Sequence, residues 1–374
     1  MKALVLAGGR GTRLRPITHT SAKQLVPVAN KPVLFYGLEA IRAAGITEVG
    51  IVVSDPREML KPDHRTGEMM TVMVNSQQEI RSAVGDGARF GLKVTYIEQE
   101  APLGLAHAVK IAESYMAGEP FVMYLGDNLI KDGISPFVRE FEDEKPDAQI
   151  LLAHVKNPQE FGVAELQGDR VVRLEEKPKE PKSDLALVGV YLFSACVFDA
   201  VRAIQPSRRG ELEITDAIQH LITTGKRVRS HVIKGWWKDT GKVEDMLEGN
   251  RMMLGGLETR IEGEVDAASV VEGAVRIGKG TRVERSRLRG PLVVGENSVI
   301  RDSYVGPFTS LADGVVLDRC EIEHSIVLER SSVSNIRGRI ESSLIGRDAT
   351  VTAVDHTPRT HRFMLGDSSR VELT

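Results

Sequence analysis

The stretch Lys2-Ala3-Leu4-Val5-Leu6-Ala7-Gly8-Gly9-Arg10-Gly11-Thr12-Arg13-Leu14, continuing through Pro16 to Lys23-Gln24-Leu25, decides how this chain is read. Residues 3–7 are a short apolar run closed by glycines, the pattern of a strand buried on both faces in a parallel sheet. Gly8, Gly9 and Gly11 carry no Cβ, so the backbone can turn sharply there and bring N–H groups close to a ligand. Such a concave array of donors suits phosphate. The glycines alone are equally consistent with an ordinary tight turn between strand and helix. Arg13 adds a planar, permanent cation, and Lys23 a mobile point charge. Two generic motifs do not fit: no Lys-Ser/Thr follows as in a P-loop, and Leu14 stands where a dinucleotide fingerprint needs a third glycine.

Length and composition narrow the possibilities. With 374 residues the chain has room for two domains. Its 49 basic and 52 acidic residues leave a formal charge of −3, which gives no reason to expect nucleic acid or an anionic membrane as partner. Only two cysteines, Cys196 and Cys320, are present, which is no disulfide framework, so a reducing cytoplasm is the expectation. No apolar run approaches the ~18 residues of a membrane span, and a soluble protein is expected.

Outward from the opening stretch, residues 32–45 have the spacing of a helix and residues 49–53 that of a second buried strand. Strand, helix and strand in that order predict a mainly parallel α/β sheet. Further strands are expected over 93–98, 121–125, 148–154, 161–166, 171–174, 187–193 and 229–233, and helices over 134–141, 212–224 and 243–254. The segment 55–76, rich in Met and Pro, is either an inserted hairpin or lid or an ordinary surface excursion. Gly255-Gly256 marks a boundary. Beyond it, up to residue 356, Lys279 is the single lysine and Tyr304 and Phe308 the only aromatics. Aliphatic residues recur instead in Ile277-Gly278-x-x-Thr281-x-Val283, Val294-Gly295-x-x-Ser298-x-Ile300, Val305-Gly306-x-x-Thr309-x-Leu311 and Ile345-Gly346-x-x-Ala349-x-Val351. These are hexapeptide repeats, and they predict a left-handed parallel β-helix. The expected organisation is a catalytic domain over 1–245, a linker helix end over 246–256, the β-helix over 257–356 and a capping tail over 357–374.

Ligands of open parallel sheets sit at the carboxyl ends of the strands. Asp127 and Asp239 both follow apparent strands; two carboxylates beside a phosphate turn suit one Mg²⁺ shared with substrate phosphates, while an isolated Asp127 is equally well a helix N-cap. His107 reads as a surface residue, and no Ser-His-Asp order is apparent.

Taken together, Leu6 to Leu14, Pro16, Thr18, Lys23-Gln24-Leu25, Pro27-Val28 and Lys31-Pro32 resemble the signature of the sugar-1-phosphate nucleotidylyltransferases, a Rossmann-like α/β family. The β-helical extension resembles that of the long-form glucose-1-phosphate thymidylyltransferases. The resemblance implies transfer of a nucleotidyl group from dTTP, or alternatively UTP or another triphosphate, to glucose 1-phosphate, with Mg²⁺ held by Asp127 and Asp239. It implies catalytic roles for Arg13, Lys23, Asp127 and Lys177, and nucleotide contacts from Leu6, Gly8, Gly9, Gly11, Thr12, Arg13, Gln24, Gln99 and Gly104. The sugar phosphate would meet Gly162, Glu176, Lys177, Val188 and Tyr191. A homo-oligomer is expected. Two rival readings are a bifunctional enzyme whose β-helix is also an acyltransferase, with His324 as candidate, and a non-catalytic regulatory scaffold.

Overall fold

Lys2–Leu6 forms the strand that its apolar run predicts, with Ala3, Leu4 and Val5 wholly buried. Parallel partners on both sides, Glu48–Ser54 and Phe121–Leu125, supply the two-faced burial that such a run requires. The computed structural model describes residues 1–9, 11–19, 21–54, 76–168, 170–353 and 368–372, and the backbone alone of 57–62 and 69–74. The chain forms two compact units: Met1–Arg10, Thr20–Leu25 and Val33–Asp239 make the first, and Gly11–His19, Val26–Pro32 and Thr240–Thr374 the second.

The first unit is built on a nine-stranded mixed sheet. Across it the strands run Ala148–His154, Val228–Val232, Arg170–Glu176, Gly162–Gln167, Leu185–Phe193, Phe121–Leu125, Lys2–Leu6, Glu48–Ser54 and Lys93–Gln99. Leu34, Leu38, Ile41 and Phe141 pack on one face, and Ala106, Val109, Phe198 and Ile218 on the other. The helix expected from Pro32 begins at Val33, because Pro32 pairs with Pro27 in a short hairpin instead. A helix at Ser76–Val84 was not foreseen; its buried face is Gln77, Ile80 and Val84, a stripe too polar and short to stand out. Within the 55–76 excursion, Arg57–Pro62 and Met69–Val74 pair as an antiparallel hairpin.

The second unit contains three parallel sheets of six, six and five strands, stacked coil upon coil. This is the left-handed parallel β-helix that the repeats predict. Its core is aliphatic: Val275, Ile277, Leu292, Val294, Leu311 and Val327 line it with Val283, Ile300, Leu317 and Val333. Serines and threonines recur at fixed offsets because they form ladders between coils. The Ser286 N–H donates to Ser269 Oγ at 3.0 Å, that of Ser303 to Ser286 Oγ at 3.1 Å, and that of Cys320 to Ser303 Oγ at 3.2 Å. Recurrent glycines answer a steric need: a Cβ at Gly278 would lie 2.7 Å from the backbone of Gly295 in the next coil. His324 stacks as a corner side chain, edge-on to Phe308 with ring centroids 6.3 Å apart and with Nδ1 3.3 Å from Ser342 Oγ. Of the expected capping tail, 357–367 and 373–374 lie outside the described residues.

Candidate active site

In the first unit the parallel strands Lys2–Leu6, Glu48–Ser54, Lys93–Gln99 and Phe121–Leu125 end along one edge of the sheet. The Ala7 N–H donates to Val52 O at 2.8 Å and that of Gly126 to Leu6 O at 3.0 Å, so the glycine loop starts level with Gly126-Asp127. Lys23 lies in a short 3₁₀ turn, and its ammonium forms an ion pair and hydrogen bond with the Asp127 carboxylate, both side chains being largely buried. The Lys23 side chain passes close over Gly9: a Cβ there would stand 2.7 Å from Lys23 Cε and make that side chain shift. Burial pushes the Asp127 carboxyl toward its neutral form, but the charge of Lys23 and the hydrogen bonds from Lys23 and Asn128 outweigh it and hold the pKa below the ordinary range.

Asn128 links Asp127 to the strand that carries the second acid. Its Nδ2 donates to Asp127 Oδ1 at 3.1 Å, its Oδ1 accepts from the Trp237 indole N–H, and its carbonyl accepts from Tyr124 OH at 3.0 Å. The short strand Asn128–Ile130 pairs antiparallel with Trp237–Asp239, placing Asp239 opposite Asn128. Asp239, far away in sequence, therefore pairs with the residue next to Asp127, and Asp127 itself sits in the turn between two strands rather than capping a helix.

Two amides lie near this edge. Gln24 is almost wholly buried, with its Oε1 meeting no hydrogen-bond donor among the described residues. Gln99 donates its amide nitrogen to His107 Nδ1 at 3.0 Å and, more weakly, to Gly104 O at 3.4 Å. His107 is thus not a mere surface residue: it orients Gln99. With the amide as donor, the ring accepts at Nδ1 and carries its proton on Nε2. Burial, followed by the charge of Lys110, lowers the His107 pKa and favours that neutral ring. Gly104 has a positive φ of 103°, and a Cβ there would lie 2.4 Å from Leu212 O, so only glycine fits this bend.

This linkage has a definite sign. A histidine with a depressed folded-state pKa favours the fold above its unfolded pKa near 6.5, an advantage lost as pH falls below that value toward the folded pKa. Protonation also removes the acceptor for Gln99. In the nucleotidyl-transfer reading that the sequence resemblance implies, the KM for the nucleoside triphosphate is therefore expected to rise as pH falls through the folded-state pKa, which lies below the ordinary histidine value. In His107→Gln, whose side-chain oxygen accepts without titrating, that limb is expected to flatten. An identical acid limb in the variant would sink the assignment.

Across the sheet, Gly162 pairs with Glu176, and a Cβ at Gly162 would lie 3.1 Å from Glu176 Oε2. Lys177 follows with a positive φ of 44°, its N–H held by Phe161 O at 2.9 Å and its Nζ 3.9 Å from Glu176 Oε1. Arg209, a residue the sequence reading passed over, reaches Glu176 Oε1 at 3.4 Å and Glu213 Oε1 at 3.2 Å. Burial, then the neighbouring charge of Glu213, raises the Glu176 pKa. Tyr191 is buried near Glu176, and burial foremost raises its phenol pKa. Val188 is buried in the core on the opposite face of the sheet from Tyr191. Gly11, Thr12 and Arg13 belong to the second unit: Gly11 takes a left-handed φ of 62°, Thr18 Oγ1 donates to its carbonyl, and Leu14 anchors the turn while Thr12 and Arg13 stay exposed.

A glycine loop after the first strand of a parallel sheet, a buried Lys–Asp pair at its edge and a hexapeptide β-helix in the same chain define a phosphate-handling α/β enzyme of the nucleotide-transfer class. Comparison with known proteins makes this specific. A family model described as nucleotidyl transferase matches residues 2–255, and the chain belongs to that family. It is 59% identical to a glucose-1-phosphate thymidylyltransferase of Streptomyces antibioticus over 100% of this chain and 99% of that one. Its identity to a glucose-1-phosphate thymidylyltransferase of Streptomyces griseus is 56%, over all of both chains. A solved Bacillus anthracis chain, described as a glucose-1-phosphate thymidylyltransferase in complex with sucrose, superposes with a TM-score of 0.59 at 34% identity, covering 67% of this chain and 94% of that one.

Proposed function

We propose that the protein transfers a thymidylyl group from dTTP to glucose 1-phosphate, giving dTDP-glucose and pyrophosphate. The observation that carries this reading is the full-length likeness to thymidylyltransferases, 59% identical across the entire chain. A sugar phosphate is largely ionised at neutral pH, so its oxygen attacks the α-phosphorus without a strong general base. A new P–O bond forms in line as the bond to the β-phosphate bridge breaks, and the electron pair leaves with pyrophosphate.

Positioning and charge stabilisation then make up most of the catalysis. In this reading Leu6, Gly8, Gly9, Gly11 and Thr12 cradle the triphosphate through their backbone, and Arg13 and Lys23 offset the charge that builds on it. Lys177 holds the incoming phosphate, with Arg209 beside it, while Gly162, Glu176, Tyr191 and the backbone at Val188 surround the sugar. In this reading Gln24 and Gln99 meet the base; the Gln99 nitrogen is held by His107 and Gly104, and the buried Gln24 Oε1 has no partner among the described residues. An amide can both donate and accept, so these two side chains can meet the donor and acceptor groups of a pyrimidine edge.

Asp127 and Asp239 suit Mg²⁺: both are hard oxygen donors, Asp239 pairs with the residue that follows Asp127, and Asp127 is held ionised. When bound, that ion would neutralise phosphate charge. The same reading places the enzyme in the cytoplasm as a homo-oligomer; no helix among the described residues is long and apolar enough to cross a membrane.

The test is pyrophosphate release from the purified protein with glucose 1-phosphate and Mg²⁺, run separately with dTTP, UTP, ATP, GTP and CTP. The highest kcat/KM is expected with dTTP. Preference for a purine nucleotide, or silence with all five, would overturn the reading.

A further inference from the structure

The second compact unit contains more than the β-helix: Gly11–His19 and Val26–Pro32, two pieces of the N-terminal signature, cluster with it. The contacts responsible are specific. Pro27–Val28 and Lys31–Pro32 form a hairpin whose two turn residues, Ala29 and Asn30, have φ of 48° and 59°. A two-residue hairpin turn demands positive φ at both positions, a region alanine enters only at a cost that contacts from outside the turn can offset.

That support comes from Asn250, a wholly buried residue on the helix Val243–Leu254. Its Oδ1 accepts from the Ala29 N–H at 2.8 Å and from Ser310 Oγ at 2.6 Å, and its Nδ2 donates to Phe308 O at 2.9 Å. Asn30 adds a second tie, its Nδ2 donating to Leu311 O at 2.6 Å. Ser310 is itself wholly buried in the β-helix strand Thr309–Leu311. Only a carboxamide can accept twice and donate once in this place. Leucine would fill a similar volume but leave the Ala29 N–H and the Phe308 carbonyl without these partners. On the other piece of the signature, Ile17 Cδ1 lies 3.2 Å from where a Cβ on Gly346 would stand, in the last coils of the solenoid.

We propose that Asn250 is a positioning residue for nucleotide binding: it locks the Ala29-Asn30 turn onto the β-helix, and thereby fixes the chain that runs on directly from Lys23-Gln24-Leu25. This rests on the nucleotidyl-transfer reading, and its test separates the two.

In the full-length protein, Asn250→Leu is expected to raise the KM for dTTP about tenfold and to lower kcat, with the KM for glucose 1-phosphate nearly unchanged. Asn30→Gly, which keeps the left-handed turn and deletes only the bond to Leu311, should move the same constants in the same direction by a smaller factor. Hydrogen exchange followed by mass spectrometry should show faster exchange over residues 26–32 in Asn250→Leu, with the strand Phe121–Leu125 unaffected. If Asn250→Leu fails to fold, Asn30→Gly and Asn250→Asp, which keeps the acceptor and loses the donor, carry the same comparison. Wild-type dTTP kinetics in the folded variants, or a KM rise shared equally by both substrates, would overturn the proposal. An inactive wild type would instead overturn the proposed function, and unchanged exchange over 26–32 would then overturn this inference on its own.

Discussion

Replacing Asp127 with Asn is expected to lower kcat by about 10²–10³-fold while leaving the fold intact. The two side chains are nearly the same size, and the Lys23 ammonium left without its partner sits on a flexible stem that can turn toward solvent. What is lost is the anion that Lys23 and Asn128 keep ionised at the edge of the sheet. In the proposed reaction that anion would hold Mg²⁺ and set the position of Lys23 against the triphosphate. Pyrophosphate release at saturating substrate, beside a circular-dichroism melt, measures both consequences. Turnover equal to wild type would remove Asp127 from the site.

The larger effect on stability is expected from the other half of the pair. Lys23→Ala leaves the Asp127 carboxylate largely buried without its ammonium partner, at a cost of about 3 kcal/mol near neutral pH. The sign of its pH dependence follows from the same geometry. In the wild type the Asp127 pKa is depressed, so its contribution is present above the unfolded value near 3.9 and is lost as pH falls through the folded value. In Lys23→Ala the attraction is gone and the burial remains, so the folded pKa rises above the unfolded one. The folded state then binds the extra proton, and stability relative to wild type recovers as pH drops from about 7 toward 4. The double variant Lys23→Ala/Asp127→Asn replaces the ion pair with neutral groups. It should regain most of the lost stability at neutral pH and none of the activity. Denaturant melts of the three variants at two pH values decide it: additive losses, or a Lys23→Ala penalty that grows on acidification, would contradict the buried-pair account.

Much of the architecture was legible because it obeys short-range rules. The strands at Phe121–Leu125 and Ala148–His154 and the helix at Val243–Leu254 fall where their apolar patterns place them. The β-helix was legible for a stronger reason: each coil must repeat the geometry of the last, so aliphatic, glycine and hydroxyl positions recur in register. The helix Ser76–Val84 escaped because its buried stripe includes a glutamine. The start of the helix at Val33 was misplaced by one residue because Pro32, a good first-turn residue, is taken by the hairpin.

From the sequence alone follow the fold class, the glycine loop after the first strand, the repeating solenoid and the identity of the charged groups available for chemistry. These depend on composition and on spacings of a few residues. Only the tertiary structure decided which groups meet. Lys23 finds Asp127 across 104 residues, Arg209 finds Glu176 across 33, and Asn250 finds Ala29 across 221. His107 and Gln99 are only eight residues apart, yet their bond depends on the bend at Gly104 that returns the helix to the strand end. Hydrogen-bond and ion-pair partners are chosen by direction and distance in space. Local pattern limits which residues can be buried, but the packing of whole elements determines where their polar ends point.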